Sequence, residues 1–206
     1  QSGHHYADWV RERGGDLDAL RESEERVPPE LHQTSWASDC AIDFMADAAS
    51  QNQPWLLNIN VYDPHPPFIP PKVYADRFDP AQMPGPYFRP TDLQQQREKL
   101  KSLDFQDEIR TPEEHDALRV QALYYAMIAQ IDDQFARILS VLEETGQREK
   151  TVIIFTSDHG EALGDHGLMF KGCRFYEGLI RVPLIFSWQI APARRSPVTR
   201  GEAPST

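Results

Sequence analysis

Asp158 and His159 stand side by side in Thr156-Ser157-Asp158-His159-Gly160, one oxygen and one nitrogen donor for a divalent cation. Two adjacent side chains reach one ion only where the backbone turns sharply, and Gly160 permits such a turn. Glu161, Asp165 and His166 add potential ligands close by, and Lys171 follows five residues after His166. A lysine beside a bound cation is unfavourable unless an anion lies between them. Cation, substrate anion and Lys171 therefore form one coherent set. The blander reading of the same residues is a polar turn in which Asp158 caps a following helix and Lys171 is a solvated charge.

A second group is Asp63-Pro64-His65-Pro66-Pro67-Phe68. Three prolines around His65 restrict the backbone and hold the imidazole in place. A held imidazole suits proton transfer to a leaving group or a hydrogen bond to a substrate oxygen. The alternative is a rigid loop with an incidental histidine.

Both groups follow apolar runs that read as buried strands, at 55–62 and 151–156, and a third run covers 182–187. A helix is predicted over 113–145. Thr111-Pro112-Glu113-Glu114 is its capping box, Val120, Leu123, Met127, Ile131, Phe135, Ile138 and Leu142 form its apolar stripe, and Gly146 is its stop. An earlier helix runs from Thr34 or Ser35 as N-cap through Trp36, Cys40, Phe44 and Ala48, with Ala37, Ala41 and Met45 beside the stripe. Residues 1–33 read as loops with one short helix, 66–112 as a long surface excursion carrying small elements, and 191–206 as an irregular tail. Strands alternating with a long amphipathic helix predict an α/β fold, a mostly parallel sheet flanked by helices. Ligands in such folds bind beyond the carboxyl ends of strands. His65, Asp158, His159 and Lys171 are therefore expected at one sheet edge, with Lys171 further out.

A formal net charge of −11 argues against a general nucleic-acid surface, which needs clustered Lys and Arg. It does not exclude an anionic substrate in a locally cationic pocket. No apolar run is long enough for a membrane span. Cys40 and Cys173 show no metal-ligand spacing, and a disulfide between them is allowed but not required.

The stretch from Thr156 to Leu168, with Lys171-Gly172 and Arg181-Val182-Pro183-Leu184-Ile185 after it, resembles the C-terminal metal motif of type I sulfatases and of the related phosphonate monoester hydrolases. Asp63 to Phe68 resembles their mid-domain histidine motif, and the helix carrying Ala41-Ile42-Asp43-Phe44 resembles the helix before it. Order and spacing agree over roughly residues 32–187. The resemblance implies an alkaline-phosphatase-like partial catalytic domain over 1–190. Asp158 and His159 would be metal ligands, Lys171 the contact to sulfate or phosphate, and His65 the contact to the substrate or leaving oxygen. The implied cofactors are one divalent cation, calcium ahead of manganese or magnesium, and a formylglycine nucleophile. Many sulfatases carry Asn where this chain has His159, and the softer nitrogen donor raises the case for manganese.

The departures concern the nucleophile. The family carries Cys-x-Pro-x-Arg or Ser-x-Pro-x-Arg, which neither Cys40, Cys173 nor Ser196-Pro197-Val198-Thr199-Arg200 fits, and the Asp pair of its first strand has no counterpart here. The expectation is a fragment that is inactive by itself, binds metal weakly, and comes from a parent enzyme hydrolysing a small-molecule or carbohydrate sulfate ester. Two alternatives stand beside it: a phosphonate or phosphate ester hydrolase, and a non-catalytic relic that binds an anion or a partner.

Overall fold

The structure is a computed structural model that describes residues 6–18, 28–99 and 108–188. Its centre is the packing of two helices, α2 (Gln33–Gln51) and α5 (Ala117–Glu144). Before them lies α1 (Tyr6–Glu12), the one short helix expected in the first segment. The long excursion carries α3 (Lys72–Ala75), α4 (Pro90–Lys99) and a 3₁₀ turn at Pro80–Gln82. After α5 come β1 (Ile153–Thr156), α6 (Glu177–Ile180) and β2 (Leu184–Ser187). The expected tail at 191–206 lies outside the described residues.

The two long helices meet through Ala41 and Met45 of α2 and Ile138 and Leu142 of α5, with Trp55, Leu57, Ile59 and Ile153 packed on the same cluster. Burying a side chain such as Met45, which is 1% exposed, stabilises the fold by about 1.5–3 kcal/mol. The stripe expected on α2 is therefore off by one position. Ala41 and Met45 face the partner helix, whereas Phe44 is 41% exposed. Its start differs as well. His32, with extended backbone, caps the helix by accepting the Thr34 N–H on its Nδ1 at 3.3 Å, and Thr34 and Ser35 lie inside the helix.

The capping box before α5 forms, but it closes a different element. The Thr111 N–H donates to Glu114 Oε2 at 2.8 Å, and the Glu114 N–H donates to Thr111 Oγ1 at 3.2 Å. The turn it closes ends at Asp116, which has φ 50° and redirects the chain, so the helix begins only at Ala117. Its end is as expected, with Gly146 at φ 67° just beyond the last turn.

The mostly parallel sheet is corrected by the structure. Among the described residues β1 and β2 form a two-stranded antiparallel pair, with Ile153 opposite Ser187 and Thr156 opposite Leu184. The cause lies in the connection. The Gly160 N–H donates to Leu179 O at 2.8 Å, and Thr156 Oγ1 donates to Pro183 O at 2.9 Å. The chain is thereby brought back to the end of β1 it had just left, and it can only run the other way. Residues 55–62 keep the alternation of a strand: Trp55, Leu57, Ile59 and Val61 are half-buried, and the residues between them are exposed. They have no ladder partner among the described residues.

Candidate active site

The loop that presents His65 is fixed from below by Asp63. The Asp63 side chain is 1% exposed, and it accepts hydrogen bonds from the Thr34 hydroxyl and from Gln33 Nε2 at 3.1 Å, both at the start of α2. His32 Nδ1 lies 3.4 Å from Asp63 Oδ2. Burial holds the His32 imidazole below its ordinary value of 6.5, against the opposing pull of the Asp63 charge and of a backbone hydrogen bond at Ile69. The helix start and the loop are thus one polar unit. His65 projects from it into the open. Its Nδ1 lies 2.7 Å from Pro66 O, which can only accept, so Nδ1 carries the proton and Nε2 is left for a ligand. The ring lies against Tyr62 at 4.7 Å, and the Tyr62 hydroxyl donates to the same Pro66 carbonyl at 2.9 Å.

Asp158 and His159 follow β1 directly. Their side chains are 87% and 42% exposed, and His159 Nε2 lies 3.7 Å from Asp158 Oδ2. His159 Nδ1 is 2.8 Å from Gly160 O, which again places the proton on Nδ1 and leaves a lone pair on Nε2. That is the tautomer a metal ligand needs. Donor atoms 3.7 Å apart can both bond one ion at the usual ~2.0–2.6 Å. The slight burial of Asp158 opposes ionisation. The His159 N–H, the His159 ring, its own N–H and the Ser157 hydroxyl outweigh it and hold the carboxyl below its usual range. The turn depends on Gly160, where an added Cβ would sit 1.9 Å from Gly178 O. These two residues fit a divalent cation as a partial ligand set. No group of three or more His, Cys, Asp or Glu side chains gathers for a metal among the described residues.

Lys171 is not further out. Its Nζ lies 3.3 Å from Glu161 Oε2, and the two side chains are 23% and 4% exposed. Glu161 is thus the anchor of the lysine. Desolvation pushes its carboxyl above the usual value, against the charges of Lys171, His159 and His65, and its other oxygen, Oε1, is buried without a hydrogen-bond partner. This pairing escaped the sequence. The one available sign was a carboxylate in the same glycine-punctuated segment as the lysine.

Asp165 and His166, read as potential ligands, turn away and tie the segment down. Asp165 Oδ1 accepts the Tyr87 N–H at 2.7 Å, and the His166 N–H donates to Tyr87 O at 2.7 Å. The His166 ring stacks on Tyr176 at 4.2 Å, with Nδ1 3.5 Å from Asp92 Oδ2. Beneath, Ala162, Leu168 and Leu179 form a small apolar cluster that holds the loop's shape. Cys40 and Cys173 are not joined in a disulfide.

His65, Asp158, His159, Glu161, Lys171 and Tyr124 line one cleft of about 1010 Å³, which continues between residues 55–62 and β1. The four expected site residues therefore line the same cleft although His65 and Asp158 are far apart in sequence. Tyr124, from α5, escaped the sequence reading because it sits one position beside Leu123 of the apolar stripe.

The fold and the motifs at its edge place the chain in the alkaline phosphatase superfamily. The chain belongs to the sulfatase family, whose family profile matches residues 5–202. It is 33% identical over 74% of its length to an arylsulfatase of Clostridium perfringens, of which that match covers 31%. It is 28% identical over 86% of its length to a multifunctional alkaline phosphatase superfamily protein, PehA, of Trinickia caryophylli, covering 36% of it. Among solved structures it resembles the phosphonate monoester hydrolase of Agrobacterium radiobacter, with a TM-score of 0.74 and 28% identity, over 88% of this chain and 40% of that one. The chain thus spans about a third of the length of these curated relatives. No described helix is long and apolar enough to cross a membrane.

Proposed function

We propose that the full-length protein hydrolyses sulfate esters, with Asp158 and His159 holding one divalent cation, calcium ahead of manganese or magnesium. The observation that carries this reading is the approach of Asp158 Oδ2 and His159 Nε2 to 3.7 Å in the cleft that also holds Lys171 and His65. A cation bound there supplies positive charge beside the ester group and stabilises the charge that develops in the transition state. Lys171, swung from Glu161, donates to a non-bridging oxygen of the anion and balances its charge from the other side. His65 in its doubly protonated form keeps the Pro66 bond through Nδ1 and offers its Nε2 proton to the departing ester oxygen. The nucleophile, a formylglycine, is assigned to a part of the protein outside these 206 residues, which hold no Cys-x-Pro-x-Arg or Ser-x-Pro-x-Arg motif.

A second reading is hydrolysis of a phosphonate or phosphate ester at the same site. It is favoured by the likeness to the phosphonate monoester hydrolase, at 28% identity and a TM-score of 0.74. Both substrates present a tetrahedral anion to the same cation and lysine. Initial rates of the full-length protein on 4-nitrophenyl sulfate and bis(4-nitrophenyl) phosphate separate the two. The sulfate is expected to have the larger kcat/KM. A faster diester selects the second reading, and turnover of neither supports a non-catalytic anion binder.

A further inference from the structure

We propose that Tyr124 contacts the substrate, its hydroxyl donating a hydrogen bond to the esterified anion beside Lys171. The inference rests on the proposed ester-hydrolysing site and extends it by a residue from a different element. Helix α5 places Tyr124 on the wall of the cleft shared by His65, Glu161 and Lys171. The ring packs against Phe68, at 6.1 Å and 67°, in an edge contact. Phe68 belongs to the Asp63–Phe68 loop that carries His65, so Tyr124 is tied to the position of the candidate acid.

The hydroxyl has work left to do. Tyrosine hydroxyls inside a protein normally find a partner. That of Tyr6 donates to Leu31 O at 2.7 Å, that of Tyr62 to Pro66 O at 2.9 Å, and that of Tyr176 accepts from Gln96 Nε2 at 2.7 Å. Tyr124 is half-buried and makes no hydrogen bond to a described residue. Its neighbour across the cleft is Glu161, which gives one oxygen to Lys171 and keeps the other buried without a partner. An anion arriving here meets the buried negative charge of Glu161, so it needs donors that do not themselves add negative charge. Burial first, then the Glu161 charge and Tyr125, push the Tyr124 hydroxyl up to about 12. It therefore stays protonated and is a neutral donor. The phenol and the ammonium together hold the anion.

The test compares the full-length protein with Tyr124→Phe, which keeps the ring on Phe68 and removes only the oxygen. A hydrogen bond to a charged group predicts a roughly 10- to 100-fold fall in kcat/KM on 4-nitrophenyl sulfate. A parallel loss of competitive inhibition by inorganic sulfate is expected, with the melting temperature unchanged. Tyr125→Phe, on the neighbouring position, is expected to change neither. Unchanged kinetics and unchanged sulfate inhibition in Tyr124→Phe overturn the inference while leaving the proposed function standing. If the unaltered protein turns over no ester, the proposed function falls, and calorimetric titration with inorganic sulfate still decides on Tyr124. Weaker binding by Tyr124→Phe supports the inference, and equal binding, or no binding by the unaltered protein, overturns it.

Discussion

The chain carries two Asp–His motifs, each just after an extended segment, and the structure uses them in opposite ways. In the first, the Asp63 carboxylate is buried and holds hydrogen bonds from Thr34 and Gln33, and His65 is the exposed member of the pair. In the second, the Asp158 and His159 side chains are both open, with their free donor atoms 3.7 Å apart. Asp63 is a structural tie between α2 and the loop, and the Asp158 side chain is left open in the cleft. A carboxylate whose acceptor capacity is already used by the protein has little left for an ion, whereas Asp158, 87% exposed, spends Oδ1 on the His159 N–H and keeps Oδ2 open. The same logic separates Glu161, held by Lys171, from Asp165, held by the Tyr87 backbone.

The contrast can be broken by exchanging the consequences of mutation. Asp158→Ala in the full-length protein is expected to lower metal-dependent kcat/KM by roughly 10³-fold or more, since a Lewis-acidic cation contributes several kcal/mol. Its unfolding free energy from urea denaturation should stay within about 0.5 kcal/mol of the parent, as for other exposed positions. Asp63→Ala should do the reverse in kind. It strands the Thr34 hydroxyl and the Gln33 amide, and it is expected to cost about 3 kcal/mol of stability by urea denaturation. Full stability in Asp63→Ala would show that the first motif is not the tie described here.

Lys171→Ala sharpens the comparison on the substrate side. It should reduce kcat/KM by roughly 10- to 100-fold, mostly through KM, while metal content measured by atomic absorption stays unchanged. The smallest effect is on pH dependence. Because burial holds the folded-state imidazole of His32 below 6.5, the unfolded chain binds the proton more readily. The stabilising contribution of the neutral ring is therefore fully present above pH 6.5 and is lost as the pH falls below it towards the folded value. His32→Asn is expected to flatten the dependence of the urea midpoint on pH on the acid side of 6.5, and an unchanged slope would assign the dependence to another group.

Much of this was legible in the chain itself. The two motifs and the long helix with its stop at Gly146 follow from residue types and spacing. So does the placing of residues as distant as His65 and Asp158 on one cleft. What was not legible depends on packing partners that periodicity does not name. Which of Phe44 and Met45 faces inward is decided by Ile138 and Leu142 on α5. The capping box at Thr111 formed with its predicted hydrogen bonds, but Asp116 at φ 50° detached it from the helix it was expected to start. The strand direction was misread because the bonds from Gly160 to Leu179 and from Thr156 to Pro183 fold the connection back on itself. Lys171 was placed too far out because its partner is a buried carboxylate. A sequence shows that Glu161 is acidic without showing that it is inside.

The most direct test is calorimetric titration of calcium, manganese and magnesium into the chelator-treated full-length protein, carried out in parallel on Asp158→Asn and Asp63→Asn. One ion per molecule is expected in the unaltered protein and in Asp63→Asn, with binding lost in Asp158→Asn. Stoichiometric binding that survives Asp158→Asn at undiminished affinity, or that disappears in Asp63→Asn while the protein remains folded, would contradict the assignment of the open Asp158–His159 pair as the metal ligands.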